Sequence, residues 1–147
     1  MKKIYIGADH RGFKLKERLK EWLEKTEEEF EDLGNKQYEP EDDYPDYASQ
    51  VAQAVGLDNA ARGVVICGSG IGVNIMVNRY KGIRGAIGFD VKQVKHGVES
   101  DDMNVLCLAS DHISFNKAKR LVRSFLKSNF QKEAKDIKRI KKLEETI

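Results

Sequence analysis

The chain has 147 residues, 40% of them hydrophobic and 34% charged, with a net charge of +2. That is the size and composition of one globular domain able to bury a single core. No apolar run nears the roughly 20 residues that cross a bilayer, and Met1-Lys2-Lys3 leads only into Ile4-Tyr5-Ile6, too short an apolar stretch for a secretory signal. A cytoplasmic protein with no membrane contact is expected, with Cys67 and Cys107 as reduced thiols.

The elements alternate along the chain. Lys3 to Gly7 reads as a short strand. Arg11 to Lys25 follows with Leu15, Leu19, Trp22 and Leu23 on one helical stripe. An acidic stretch begins there: residues 24–46 carry 11 acidic and 2 basic side chains. Within it, Glu28 to Leu33 alternates weakly, as an edge strand would, and stops at Gly34-Asn35. After a polar loop, Pro45 suits the first turn of a helix whose apolar face is Ala48, Val51, Ala52 and Val55. Gly63-Val64-Val65-Ile66-Cys67 is short, β-branched and apolar throughout, as a strand covered on both faces should be. A glycine-rich turn leads to a helix over about 71–79, a strand over 83–88, a helix over 91–99 and a strand over 105–108. Ala118, Leu121, Val122, Phe125 and Leu126 mark a long helix. The final helix, over 132–147, has only the thin stripe Ile137, Ile140 and Leu143, which predicts burial against another subunit.

Strand-helix repeated about five times predicts one α/β domain spanning 1–147: three layers, with a parallel, about five-stranded sheet between two helical faces. Ligands of such sheets bind at the carboxyl ends of the strands. Three segments are expected there: Gly7 to Phe13, Cys67 to Gly72, and Ser100 to Asn104.

The second segment carries the most chemistry. Gly68, Gly70 and Gly72, with Ile71, can turn backbone amides toward a bound oxygen or phosphate. The positive end of a following helix favours a thiolate, so a cysteine at Cys67 is suited to removing a proton beside a carbonyl. Ser69 is suited to donating a hydrogen bond to the resulting enediolate. The same residues also fit a tight turn after a strand with Cys67 as a small buried hydrophobe. Asp9 and His10 suit sugar hydroxyls or a ring oxygen, and Asp9 equally suits a helix cap. His96 and His112 read as surface residues. No His, Cys and carboxylate set has the spacing of metal ligands, so neither metal nor other cofactor is expected. Residues 117–147 carry 11 basic and 4 acidic side chains but no interleaved aromatics, and no nucleic-acid partner is expected.

The segments Gly7 to Phe13, Asp43 to Ala48, Cys67 to Gly72, Asn78 to Arg84 and Asp102 to Leu106 together resemble the ribose-5-phosphate isomerase B and galactose-6-phosphate isomerase family, in order and spacing, over about residues 3–128. The resemblance implies a Rossmann-like fold, a sugar-phosphate substrate, aldose–ketose isomerisation through an enediolate, and no cofactor. It implies subunit-interface sites in a homodimer or homotetramer, with Cys67 as base, Ser69 in the loop cradling the reacting end, and substrate contacts at Asp9, His10, Gly68, Gly70, Ile71, Gly72, Asp101 and Lys138. Three departures stand out. The family's ring-opening histidine is matched by Ser100 and the asparagine after it by Asp101. Asp111 replaces a phosphate-binding arginine, so repulsion of phosphate is expected there. Lys135, Lys138 and Arg139 lie where a pair of arginines is usual, and lysine binds phosphate without the bidentate fork. One subunit of the two-chain galactose-6-phosphate isomerase also lacks that histidine, which keeps a hetero-oligomer needing a partner chain as the alternative.

Overall fold

The computed structural model describes residues 2–146, and its elements run β1 (Ile4–Ala8), α1 (Phe13–Lys25), β2 (Phe30–Asp32), α2 (Tyr44–Leu57), β3 (Arg62–Cys67), α3 (Ile71–Val77), β4 (Gly85–Ile87), α4 (Val91–Asp101), β5 (Val105–Ala109), α5 (Phe115–Lys127) and α6 (Ala134–Glu144). The strands form one parallel sheet in the order β2-β1-β3-β5-β4.

The fully apolar β3 takes the middle of the sheet, where it is buried along its whole length. Its side chains alternate between faces, as a period of two requires. Val64 and Ile66 join the core formed with Leu19 and Leu23 of α1, Val94 and Val98 of α4, and Leu121 and Phe125 of α5. Val65 and Cys67 join the opposite core, with Val51 and Val55 of α2 and Val73 and Val77 of α3. β1 leads to the edge at β2, whereas the next crossover returns to β3 on its other side. The strand order therefore switches between β1 and β3, where a crevice opens at their carboxyl ends.

Two elements differ from expectation in ways that matter. The helix α4 extends through Ser100 and Asp101, and ends where Asp102 takes a left-handed conformation at φ 50 and the next residue, Met103, donates its N–H to the Gly97 carbonyl at 3.1 Å. Asn104 then enters β5 by bonding the Arg84 carbonyl at 3.0 Å. The segment Ser100 to Asn104 thus lies at the amino end of the sheet, not at the carboxyl end where ligands were expected. The last helix, α6, is at that same end. Arg84 ties it down, donating to Glu144 at 2.8 Å and to Asp102 at 3.0 Å. Ile137 and Leu143 of its stripe stay 49% and 55% exposed.

A buried cation fixes the loop after β2. Lys16 of α1 is 0% exposed. Its ammonium donates to Asp32 Oδ2 at 2.7 Å and to the Asn35 carbonyl at 2.6 Å. Lys20, one turn on, donates to the same Asp32 oxygen at 2.8 Å. Burial would raise the Asp32 carboxyl, but bonds from Lys16 and Lys20 outweigh it and hold the carboxyl below its ordinary range. Lys16→Met keeps the apolar stem but strands the Asn35 carbonyl and half of the Asp32 pairing. It should cost about 3 kcal/mol in urea unfolding, and a loss under about 1 kcal/mol would contradict this role.

Candidate active site

The carboxyl ends of the three central strands bring distant segments together. Ala8 of β1 is opposite Ile66, and Cys67 of β3 is opposite Ala109 of β5. The residues that leave these strands are therefore neighbours: Asp9-His10-Arg11, Gly68-Ser69-Gly70 and Ser110-Asp111. Hydrogen bonds sew the turns to each other. Asp9 N–H donates to the Ile66 carbonyl at 3.4 Å, Ser110 N–H to that of Cys67 at 2.9 Å, and Asp111 N–H to that of Gly68 at 3.0 Å. The Ser110 hydroxyl lies 2.8 Å from the Arg11 carbonyl and 3.1 Å from that of Cys67.

Asp9 is buried, and its Oδ1 accepts the N–H groups of Arg11 at 3.0 Å and Gly12 at 3.1 Å. These bonds close a turn ahead of α1 and do not cap the helix itself, whose N-cap is Gly12 without a side-chain cap, so the capping role expected of Asp9 is replaced by one in the turn that leads into α1. Burial raises its carboxyl despite those bonds. His10 is held at both ends of its residue by one carboxylate. Its N–H donates to Asp42 Oδ1 at 2.8 Å, and its ring Nδ1 lies 2.8 Å from the same oxygen. Asn35 donates to the other Asp42 oxygen at 2.7 Å. Burial alone would raise Asp42. The bonds from His10, Asn35 and the Tyr47 hydroxyl prevail and hold its carboxyl below the usual range. With Nδ1 engaged, Nε2 is the ring nitrogen that can meet a ligand.

Sequence reading missed Asp42 and Asn35, which sit in a polar loop whose only signal was its acidity. Asp9, His10 and Asp42 bring ligand atoms within 4.8 Å of one another. Asp42 already bonds His10 and Asn35, and Asp9 accepts two backbone N–H groups, which fits a hydrogen-bonded set better than an open cation cage.

Cys67 is buried at the end of the central strand, on the α2–α3 face. Gly70 follows with φ 75, a left-handed conformation that a side chain would strain, and this turns the chain into α3. Ser69 Oγ accepts the Ile71 N–H at 3.2 Å, which leaves its proton free to be donated. The Tyr44 ring lies over Gly72. Ile71 is 55% exposed beside the turn. The other thiol is different in kind. Cys107 is fully buried below Cys67 beside Asn74, and burial pushes its thiol up, which leaves it protonated.

Asp111 does not stand as a bare anion. Its Oδ2 pairs with the guanidinium of Arg11, a residue one hundred positions earlier. That guanidinium lies across Gly68, where even a Cβ would come within 2.5 Å of Arg11 Nε. The expected repulsion of phosphate by Asp111 is thereby answered by the neighbouring turn.

The pattern of the ribose/galactose isomerase family matches residues 4–143. The chain belongs to that family. A probable ribose-5-phosphate isomerase B of Mycoplasma pneumoniae is 38% identical over 128 residues, spanning 87% of this chain and 84% of that protein. Ribose-5-phosphate isomerase B of Escherichia coli is 36% identical over 131 residues, 89% of this chain and 87% of its own length. The crystal structure of the Mycoplasma genitalium ribose-5-phosphate isomerase B with bound ribulose-5-phosphate superposes with a TM-score of 0.93 at 34% identity, covering 97% of this chain and 94% of that one.

Against this family frame, the expected site residues divide in two. Asp9, His10, Cys67, Gly68, Ser69, Gly70, Ile71 and Gly72 converge on the β1–β3 crevice. Asp101 and Lys138 do not: the first ends α4 and the second lies on the exposed face of α6, both at the opposite end of the same sheet. His96 is exposed on α4.

The acid limb of the stability curve reads out the Asp42 hydrogen bonds. A carboxyl with a lowered folded value stabilises the fold above its unfolded value, near 3.9, and that contribution vanishes as pH falls through the folded value. Asp9, raised, acts in the opposite sense and gains from acid. Asp42→Asn should therefore lower stability at pH 7 and flatten its decline between about pH 4 and 2. Unfolding free energies that decline as steeply as in the unaltered chain would contradict that role of Asp42.

Proposed function

We propose that this chain is a single-domain, cofactor-independent aldose–ketose isomerase that interconverts ribose 5-phosphate and ribulose 5-phosphate through an enediolate. The observation that carries the reading is Cys67 at the tip of the central strand, between the Asp9-His10 turn and the Gly68 to Gly72 turn, in a chain of this family. Cys67 removes the proton from C2 of the open-chain aldose. The electron pair forms the C1–C2 double bond as the carbonyl oxygen gains charge, and Ser69 donates to that charge. Return of the proton to C1, with transfer of the hydroxyl proton from O2 to O1, gives the ketose. Nothing is oxidised or reduced overall.

The ring must open first, and Ser100 has no group that gives up a proton near neutral pH. His10 fills that need. Asp42 holds its ring through Nδ1, which leaves Nε2 as the nitrogen to act on a ring oxygen. Asn35 and, behind it, Lys16 hold Asp42 and its loop in place.

The site is completed by a second copy of the chain. Ile71 and Ile75, one turn apart on α3 and each 55% exposed, border the crevice. Asp101 and Lys138 are far from Cys67 within one chain, so their expected contacts with substrate come from a partner. The exposed stripe of α6 has the same explanation. A homodimer is the simplest assembly consistent with this.

Cys67→Ala should cut kcat for ribose 5-phosphate by at least about a hundredfold without loss of folding, since one sulfur removed at a strand end leaves little cavity. Near-normal turnover would remove Cys67 as the base. Light scattering on the pure chain should give a mass at least twice the 16.7 kDa monomer at micromolar concentration; a monomer would sink the shared-site reading.

A further inference from the structure

Resting on the isomerase reading, we propose that a cavity walled by Arg11, Lys14 and Arg18 receives the phosphate of the sugar substrate, in place of the arginine that Asp111 replaces. The cavity, of about 210 Å³, lies between the first two turns of α1 and the loop from β5 to α5. Ser110, Asp111 and Phe115 close its other side.

Charge favours an anion there. Three cations face one carboxylate, and Asp111 is already matched by Arg11, which leaves the equivalent of two positive charges. Two helices of thirteen residues, α1 and α5, begin at its rim, and neither has an acidic residue in its first turn, so their positive ends add to the field. Geometry favours a fixed site over a diffuse basic surface. The Arg18 guanidinium stacks on the Phe115 ring at 4.0 Å from its centroid, which holds a planar donor against an aromatic face. Arg11 is braced by Asp111 and lies across Gly68.

Position ties the cavity to the chemistry. Its wall residues Ser110 and Asp111 bond the Cys67 and Gly68 carbonyls directly. A sugar phosphate whose reacting carbons meet Cys67 can lay its far end past Gly68 onto Arg11. Asp111 thus becomes a brace for a guanidinium delivered from the other strand, and the cation has changed sides of the crevice.

Kinetics and binding of the full chain test this separately from the activity itself. Arg11→Gln and Lys14→Gln should each raise KM for ribose 5-phosphate, Arg11→Gln by about tenfold or more, with kcat within about threefold. Inhibition by inorganic phosphate should weaken in parallel. Unchanged KM and unchanged phosphate inhibition in both variants would overturn the proposal while leaving the isomerase reading intact. If the unaltered chain turns over no sugar phosphate, the isomerase reading fails, and calorimetric titration with inorganic phosphate then decides the cavity. Binding by the unaltered chain that is lost in Arg11→Gln supports it. Equal binding by both, or none by the unaltered chain, overturns it. Lys14, exposed in the first turn of α1, guards against a folding defect in the Arg11 variant.

Discussion

The parallel register of β1, β3 and β5 governs everything at the carboxyl edge of this sheet. Because Ala8 pairs with Ile66 and Cys67 with Ala109, three chain segments separated by about fifty residues each leave the sheet at one level. Parallel strands depend on burial of both faces, and β3 meets that demand with six consecutive buried residues. Alternation then assigns Val64 and Ile66 to one core and Val65 and Cys67 to the other. A one-residue slip would turn Cys67 to the wrong face and separate it from the glycine turn. Packing of the core and placement of the candidate base are thus one constraint.

Around that frame, charge is settled in local pairs that reach across the crevice. Lys16 and Lys20 neutralise Asp32, and Asp42 faces His10 and Asn35. Arg11 takes Asp111. The charges of Lys16, Asp32 and Asp42 are buried and costly unless paired, so their pairs hold in place loops that lack apolar anchors of their own, whereas the Arg11–Asp111 pair is exposed at the rim. The loop after β2 is the clearest case. It has little core, yet it carries the carboxylate that orients His10, and a buried ammonium fixes it.

Much of this was legible in the sequence where the cause is local. Strand-helix alternation, the apolar β3, the Pro45 helix start and the Cys67 to Gly72 turn depend on residues next to one another. The resemblance drawn from five short segments led to the right family. What stayed hidden depends on tertiary approach. Nothing marks Asp42 as the partner of His10 thirty-two residues away, or Arg11 as the partner of Asp111. The segment Ser100 to Asn104 was misplaced at the carboxyl edge although it leads into β5, and a segment that feeds a parallel strand lies at the amino end of the sheet. With α4 running on through Asp101, only Asp102 to Asn104 form the loop between that helix and β5. Lys138 carries the same lesson, since a thin apolar stripe says that a helix is only partly buried and not which end of the sheet it covers.

The central claim is proton transfer through an enediolate, and isotope exchange examines it most directly. Ribulose 5-phosphate is incubated with the full chain in deuterium oxide and followed by proton NMR. The account predicts ribose 5-phosphate carrying solvent deuterium at C2, with deuterium also entering C1 of the remaining ketose as the reaction approaches equilibrium. Ribose 5-phosphate formed with no deuterium at carbon after many turnovers would point to direct hydride movement between the carbons and would contradict the account, as would the absence of any conversion.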